Sequence, residues 1–548
     1  MPRRFIRIVL IALVCFAGAS AATRPATARQ EANIVADSGF SPAENGFGFQ
    51  NYGNEGQPVN LTTVEMRRLF GDEVCAGTPD AAGACDLTPP AAEWMEKINQ
   101  NMGGGHCDGM ATLASVLYYK LGNEAPDQFG KPAAVQIDFD SNAKLQREIA
   151  YWFSTQATQP ANTQDIKAPP AQIVEALIAS IKGKTETYTV GIYQPDMSGG
   201  HSITPYAVQD MGAGKMWIMV YDNNFPKEAR HIEVDMTANT WTYFTASNPN
   251  EAGAGYTGNA DTLTLTLTPD SARLGKQTCP VCAATTAKIN GLAQAAKQYN
   301  EVWLVGDNQP GSALDLLITD DAGHRLGQVG GKLINEIPGA SFAAVRSGPK
   351  TLEDEQEPVY YIPVGVKISV TLDASKSKRE ETASLSLIGP GHEISIDNIK
   401  VQPGEVDKAV FAADGKSVTY TPSSSESPDI SIGTATAGAD YGFDLYGFDL
   451  DKGASVNVRL DETLQKLIVS TVGNTNPSIY ALSLEKLDKQ VNQQYYNEGI
   501  ELAPGAAVYI DYGTWDGKGE LTLEIDKDNN GTPDSTMTEP NSPKPPQK

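Results

Sequence analysis

The stretch GGGHCDGMATLASVLYYKLG, residues 103–122, sets a cysteine directly behind a glycine run and at the head of a helical pattern. Met110, Leu113, Ala114 and Leu117 recur at i, i+3, i+4 and i+7, which predicts a helix over this segment. At a helix N-terminus the macrodipole and the free N–H groups favour a thiolate. The glycines allow close backbone approach and leave room for a substrate. Cys107 can therefore be a small core residue, half of a disulfide, or a nucleophile.

The cysteine count bears on that choice. Arg3, Arg4 and Arg7 precede an apolar run from Ile8 to Ala17, and Ala19, Ser20 and Ala21 supply small residues for cleavage, so residues 1–22 read as a secretory signal peptide. Its removal takes Cys15 away and leaves Cys75, Cys85, Cys107, Cys279 and Cys282. In an oxidising compartment Cys75 with Cys85, and Cys279 with Cys282, form two local disulfides, and Cys107 is left over. A four-cysteine zinc site is the weaker alternative, because the first pair lacks short ligand spacing. No later run reaches the roughly 20 apolar residues that cross a bilayer, so no membrane span is expected. The formal net charge of −25 argues against nucleic acid as a partner.

A chain of 548 residues is long enough for three or four domains at about 150 residues each. Helical patterns open at the capping box Thr62 to Glu65, at Pro89 and at Met110, and recur over Lys144 to Phe153 and Pro170 to Lys182. Strand patterns follow at Thr187 to Tyr193, His201 to Val208 and Lys215 to Tyr221, with a hairpin from Arg230 to Thr245. Helices first and strands afterwards predict an α+β domain over 36–270. Pro205 inside a strand predicts a bulge or an edge. From about residue 300 short β-rich runs alternate with Gly/Pro/Asp turns, which predicts two all-β, immunoglobulin-like sandwich domains over 298–375 and 376–534. The tail 535–548 is polar and Pro-rich and is expected to be disordered. Gln30 to Asn60 has no pattern of its own and is a candidate propeptide.

A thiol nucleophile needs a base. His106 adjoins Cys107 and points elsewhere, His231 alternates with Glu233 and Asp235 on a polar face, and His324 and His392 lie in the β-rich half. His201 follows two glycines and opens an apolar strand; one strand later comes Tyr221-Asp222-Asn223-Asn224. Adjacent antiparallel strands bring the start of one beside the end of the next, so Asp222 can hold the imidazole toward Cys107.

Cysteine at a helix start, Gly-Gly-His opening a strand, and an apolar strand ending in Asp-Asn-Asn together resemble the papain-like cysteine peptidase superfamily. The bacterial branch of bacteriocin-leader-type peptidases is the nearer match. The resemblance implies a papain-like fold for 36–270, with Cys107 as nucleophile, His201 as general base and acid, Asp222 as orienting residue and Asn223 as its substitute. It also implies an oxyanion-hole amide six residues before the cysteine, where this chain has Asn101, with Gln100 one residue further away. The function implied is a secreted, cysteine-dependent hydrolase that cleaves an amide or peptide bond of a peptide or protein through an acyl-enzyme, with no cofactor for catalysis. The alternatives are a cell-wall amidase or transpeptidase acting on cell-wall peptide, and a non-catalytic adhesion protein with a papain-like module.

A second candidate site lies near the end. Asp526, Asp528, Asn530 and Asp534 place oxygen atoms at alternate positions around Gly531, as Ca²⁺ prefers. Met537 occupies the twelfth position, so a complete EF-hand is excluded. A short calcium loop and an ordinary Asp/Asn-rich turn both fit.

Overall fold

The computed structural model describes residues 33–197, 199–243, 255–282, 298–306, 313–348, 357–436, 438–489 and 491–542. The expected signal peptide and the last six residues of the tail lie outside them.

The first part of the chain is helical. It contains α1 (Pro42–Asn45), α2 (Thr63–Phe70), α3 (Pro89–Asn101), α4 (Cys107–Tyr119), α5 (Ala143–Ser154) and α6 (Pro170–Gly183). Local chemistry explains the starts. Thr62 and Glu65 close a capping box on α2, and Pro89 and Pro90 stand in the first turn of α3, where a missing N–H costs nothing. Helix α4 is buried on all sides from Cys107 to Leu117. Gly109 lets α5 approach, since a Cβ there would stand 2.1 Å from the Ile149 carbonyl oxygen.

The strands of this part are β1 (Asn33–Asp37), β2 (Ile166–Lys167), β3 (Tyr188–Tyr193), β4 (Gly200–Gly212), β5 (Lys215–Tyr221), β6 (Ala229–Asp235), β7 (Thr240–Tyr243), β8 (Tyr256–Asn259) and β9 (Leu265–Pro269). They form one antiparallel sheet in the order β2-β9-β3-β4-β5-β6-β7-β8. Strand β4 is long enough to pair with β3 through its first residues and with β1 through Ala207 to Asp210. The register slips between Pro205 and Ala207, the bulge that a missing ladder N–H calls for. Ile173, Val174 and Leu177 of α6 pack on this sheet, while α2 to α5 share a second core.

The unit is longer than 36–270 at both ends. Asn33–Asp37 belongs to the sheet, Phe40 and Phe47 are core residues, and Arg273, Gln277 and Val281 are buried with the helices. Asn33–Asp37, Phe40 and Phe47 are thus built into the fold. The disulfides Cys75–Cys85 and Cys279–Cys282 are formed and Cys107 is free.

The remainder is antiparallel sheet, and here the expected division fails. A nine-stranded sheet runs from Ser341–Ala343 to Asn492–Leu502, and an eleven-stranded sheet from Lys332–Asn335 to Ser535–Glu539. Both continue across residue 375: Ile368–Asp373 pairs with Val406–Phe411 in one, and Tyr299–Gly306 with Glu381–Gly389 in the other. Their inner faces share a single core, so 298–375 and 376–534 are parts of one body. Short runs with regular turns suit two small sandwiches and one large one equally, and only the pairing distinguishes them. Ser535–Glu539, expected to be disordered, is an edge strand, because pairing with Leu521–Asp526 needs only main-chain groups.

Helix α3 lies on the outer face of the nine-stranded sheet. The indoles of Trp94 and Trp303 both donate to Glu301 Oε2, at 3.2 and 2.9 Å. Buried Lys97 pairs with Glu93 at 3.2 Å and Asp397 at 3.4 Å. The two parts are therefore packed together next to the loop that carries Cys107.

Candidate active site

Cys107 is the first residue of α4. Gly105 before it has φ +142°, a conformation that a side chain disfavours, and this turns the chain sharply into the helix. No side chain caps the helix, and the Cys107 N–H points to the Ser347 carbonyl at 3.5 Å. Sγ accepts the Ser202 N–H at 3.3 Å.

His201 is the second residue of β4 and Asp222 follows β5, and their pairing across the sheet turns the two side chains toward each other. His201 Nε2–H donates to Asp222 Oδ1 at 2.8 Å, with both residues fully buried. Among the described residues Nδ1 has no other partner, and Cys107 interacts with the ring. A Cβ added at Gly348 would lie 2.6 Å from His201 Nδ1 and 3.2 Å from Cys107 Cβ, so imidazole and thiol side chain border one point. Burial pushes the imidazole toward its neutral form, but the Asp222 carboxylate and Cys107 outweigh this and raise its pKa to about 10. Burial likewise works against the Asp222 carboxylate, yet the charge and hydrogen bond of His201 hold its pKa below the usual range. Asp222 also accepts the Asn224 N–H at 2.8 Å and the hydroxyl of Tyr243.

Other expected residues lie elsewhere. Among the described residues Asn223 makes no hydrogen bond to the imidazole; its amide donates to the Cys107 and Ser202 carbonyls, both at 3.0 Å, tying the Cys107 turn to β4. Asn101 turns its amide onto the Lys97 carbonyl at 2.9 Å, and Gln100 donates to Glu96 at 2.9 Å, so both are engaged on the surface of their own helix. Counting six residues back from the cysteine leads into α3, whose periodicity turns these amides away from the cleft. The amide that reaches the Cys107 loop is Asn51, which accepts the His106 N–H at 2.7 Å and directs Nδ2 into the cleft. No pattern around Asn51 marks it in the sequence. His106 stacks on Tyr52, donates from Nδ1 to the Tyr52 carbonyl at 2.7 Å, and is driven by burial to a pKa of about 4. It is a neutral scaffold residue.

Beside Cys107 lies a charge cluster that spacing does not reveal. Asp108 accepts two hydrogen bonds from Arg273, at 2.7 and 3.1 Å, and lies 3.0 Å from Arg346 Nε. Burial raises its pKa, but the two guanidinium groups prevail and keep it ionised.

In the loop after Leu521–Asp526, one carboxylate oxygen each of Asp526, Asp528 and Asp534 lies within 4.8 Å of the others. Asp526 accepts the N–H groups of Asn530 at 3.1 Å and Gly531 at 2.7 Å, and Asp534 accepts that of Lys527 at 2.8 Å. Asn530 Oδ1 accepts the Thr532 N–H at 2.9 Å.

No protein-family model, curated protein or solved structure matches the chain. No helix among the described residues is long and apolar enough to cross a membrane.

Proposed function

We infer that this protein is a cysteine-dependent hydrolase of amide or peptide bonds, of papain-like type, that works outside the cell. The observation that carries the reading is the buried relay from Asp222 through His201 to a free thiol at a helix N-terminus. The two disulfides suit an exported protein.

In this reading the Cys107 thiol passes its proton to His201 Nδ1, and the thiolate Sγ attacks the carbonyl carbon of the substrate. The oxyanion that forms accepts hydrogen bonds from the Cys107 N–H and Asn51 Nδ2. His201 gives its Nδ1 proton to the departing amine, which leaves a thioester on Cys107. Water then attacks the thioester while His201 takes back a proton, and the carboxylic acid leaves. Asp222 keeps the imidazole in the tautomer and orientation this requires. The loop 526–534 is a calcium loop in the same reading, with Asp526, Asp528 and Asp534 as ligands and Ca²⁺ in a purely structural role.

The test is alkylation of Cys107 by iodoacetamide at neutral pH, followed by intact mass. His201→Ala should slow it by about tenfold or more, with the fold unchanged by circular dichroism. Equal rates in the two proteins, measured where the reagent reaches the thiol in both, would remove the imidazole from any role in activating it.

A further inference from the structure

Cys107 and His201 are fully buried, so an external peptide has no route to the thiol in this arrangement. What covers them is the chain's own segment 344–348, Ala-Val-Arg-Ser-Gly, which enters the cleft from the β-rich part. It lies along the start of β4. Arg346 forms a parallel bridge with Gly200, and the Gly348 N–H donates to the Gly200 carbonyl at 3.0 Å. Gln156 holds the Arg346 main chain on both sides, accepting its N–H at 2.7 Å and donating to its carbonyl at 3.4 Å. The Ser347 carbonyl faces Asn51 Nδ2 at 3.1 Å and the Cys107 N–H at 3.5 Å, the two donors assigned above to the oxyanion. It fills the space that Gly105 leaves open, since a Cβ there would stand 2.2 Å from it. These contacts are to main-chain atoms, the way a cleft holds an extended peptide of any sequence.

One side chain adds selectivity. The buried Arg346 guanidinium donates to Tyr193 Oη at 3.1 Å and Thr268 Oγ1 at 2.9 Å, and lies 3.0 Å from Asp108 and 3.7 Å from Asp165. Asp108 is already matched by Arg273, so Asp165 leaves the pocket one negative charge in excess, and an entering cation balances it. A cavity of about 620 Å³ continues beside Arg346, between Asp165, Tyr193 and Asp261 on one wall and Phe342 on the other. It has room for residues preceding the arginine of a longer peptide.

We propose that residues 344–348 are a resident substrate mimic that keeps the cleft closed, and that the substrate displacing them is an extended peptide with an arginine followed by two small residues. The proposal deepens the hydrolase reading and rests on it for the chemistry, whereas the closure rests on the contacts alone.

Two variants release the segment in different ways. Gly348→Ala adds a Cβ against His201 and Cys107 at a residue with φ +69°, and Arg346→Gln removes the cation. In the full-length protein each should speed Cys107 alkylation by iodoacetamide about tenfold or more, with the fold checked by circular dichroism. Acetyl-Ala-Val-Arg-Ser-Gly-amide should slow the Gly348→Ala protein again, and the same peptide with glutamate for arginine should not. In the unaltered protein an excess of the arginine peptide should accelerate hydrogen exchange at the Gly348 amide, so the test does not depend on either variant folding. Unchanged alkylation in both folded variants, equal protection by the two peptides, or unchanged exchange overturns the proposal. Adding His201→Ala to Gly348→Ala separates the two readings. If the opened thiol reacts equally fast without the imidazole, the closure stands and the hydrolase reading falls.

Discussion

Asp222 governs the state of His201 because a buried imidazole has no solvent to share its charge. With the carboxylate gone, burial favours the neutral ring and only Cys107 opposes it. Asp222→Asn should therefore bring the His201 titration well below its value of about 10, as followed by NMR of the imidazole carbons. An unchanged titration would mean that the pair seen at 2.8 Å does not set the charge. Cys107, His201 and Asp222 were legible in the sequence because each carries a local mark: a helix start, a glycine pair, a strand end. Asn51 and Arg273 carry none. They reach the Cys107 turn across 55 and 165 residues, and contacts of that span leave no periodic trace.

At the scale of elements, the site depends on how α4 and α3 are seated. At Gly109 α4 packs on the main chain of α5, and a methyl group there has nowhere to go. Gly109→Ala should cost about 1–3 kcal/mol in urea unfolding, despite the better helix propensity of alanine. The seat of α3 is sensitive to pH. Burial, only partly offset by the two indole N–H groups, raises the Glu301 pKa to about 8, so the folded protein holds a proton there that the unfolded chain releases near pH 4.5. Its contribution is complete below pH 4.5 and is lost as pH rises toward 8. Glu301→Gln keeps an acceptor for both indoles, so the variant should match the wild type at pH 4.5 and exceed it by about 1 kcal/mol or more at pH 8. A constant difference across that range would mean that Glu301 does not hold the proton. The helices themselves were legible, since caps, prolines and apolar spacing act within a few residues.

For the whole molecule, the decisive fact is that both C-terminal sheets cross residue 375 and enclose one core. A fragment of residues 298–375 should therefore be unfolded, with a narrow amide dispersion by NMR, where a self-contained sandwich would give a dispersed spectrum. The same body carries the loop of Asp526, Asp528 and Asp534. If the loop holds Ca²⁺, millimolar calcium should raise the Tm of the intact protein, and Asp528→Asn should diminish the rise, because an ion that binds only the folded state stabilises it by mass action. No calcium dependence of Tm would leave the loop an Asp/Asn-rich turn.

Elements, local disulfides and the leftover thiol follow from the sequence by itself, because capping, alternation, short loop closure and helix-end electrostatics act between near neighbours in the chain. The sequence also marks the strand that carries His201 and the one that ends at Asp222, through glycines, β-branched residues and a misplaced proline. Tertiary structure alone decides which strands join one sheet, which amide meets the Cys107 loop, and that Arg346 of the β-rich part meets Asp108 next to Cys107. Those outcomes turn on partners hundreds of residues apart, selected by burial and charge balance in three dimensions.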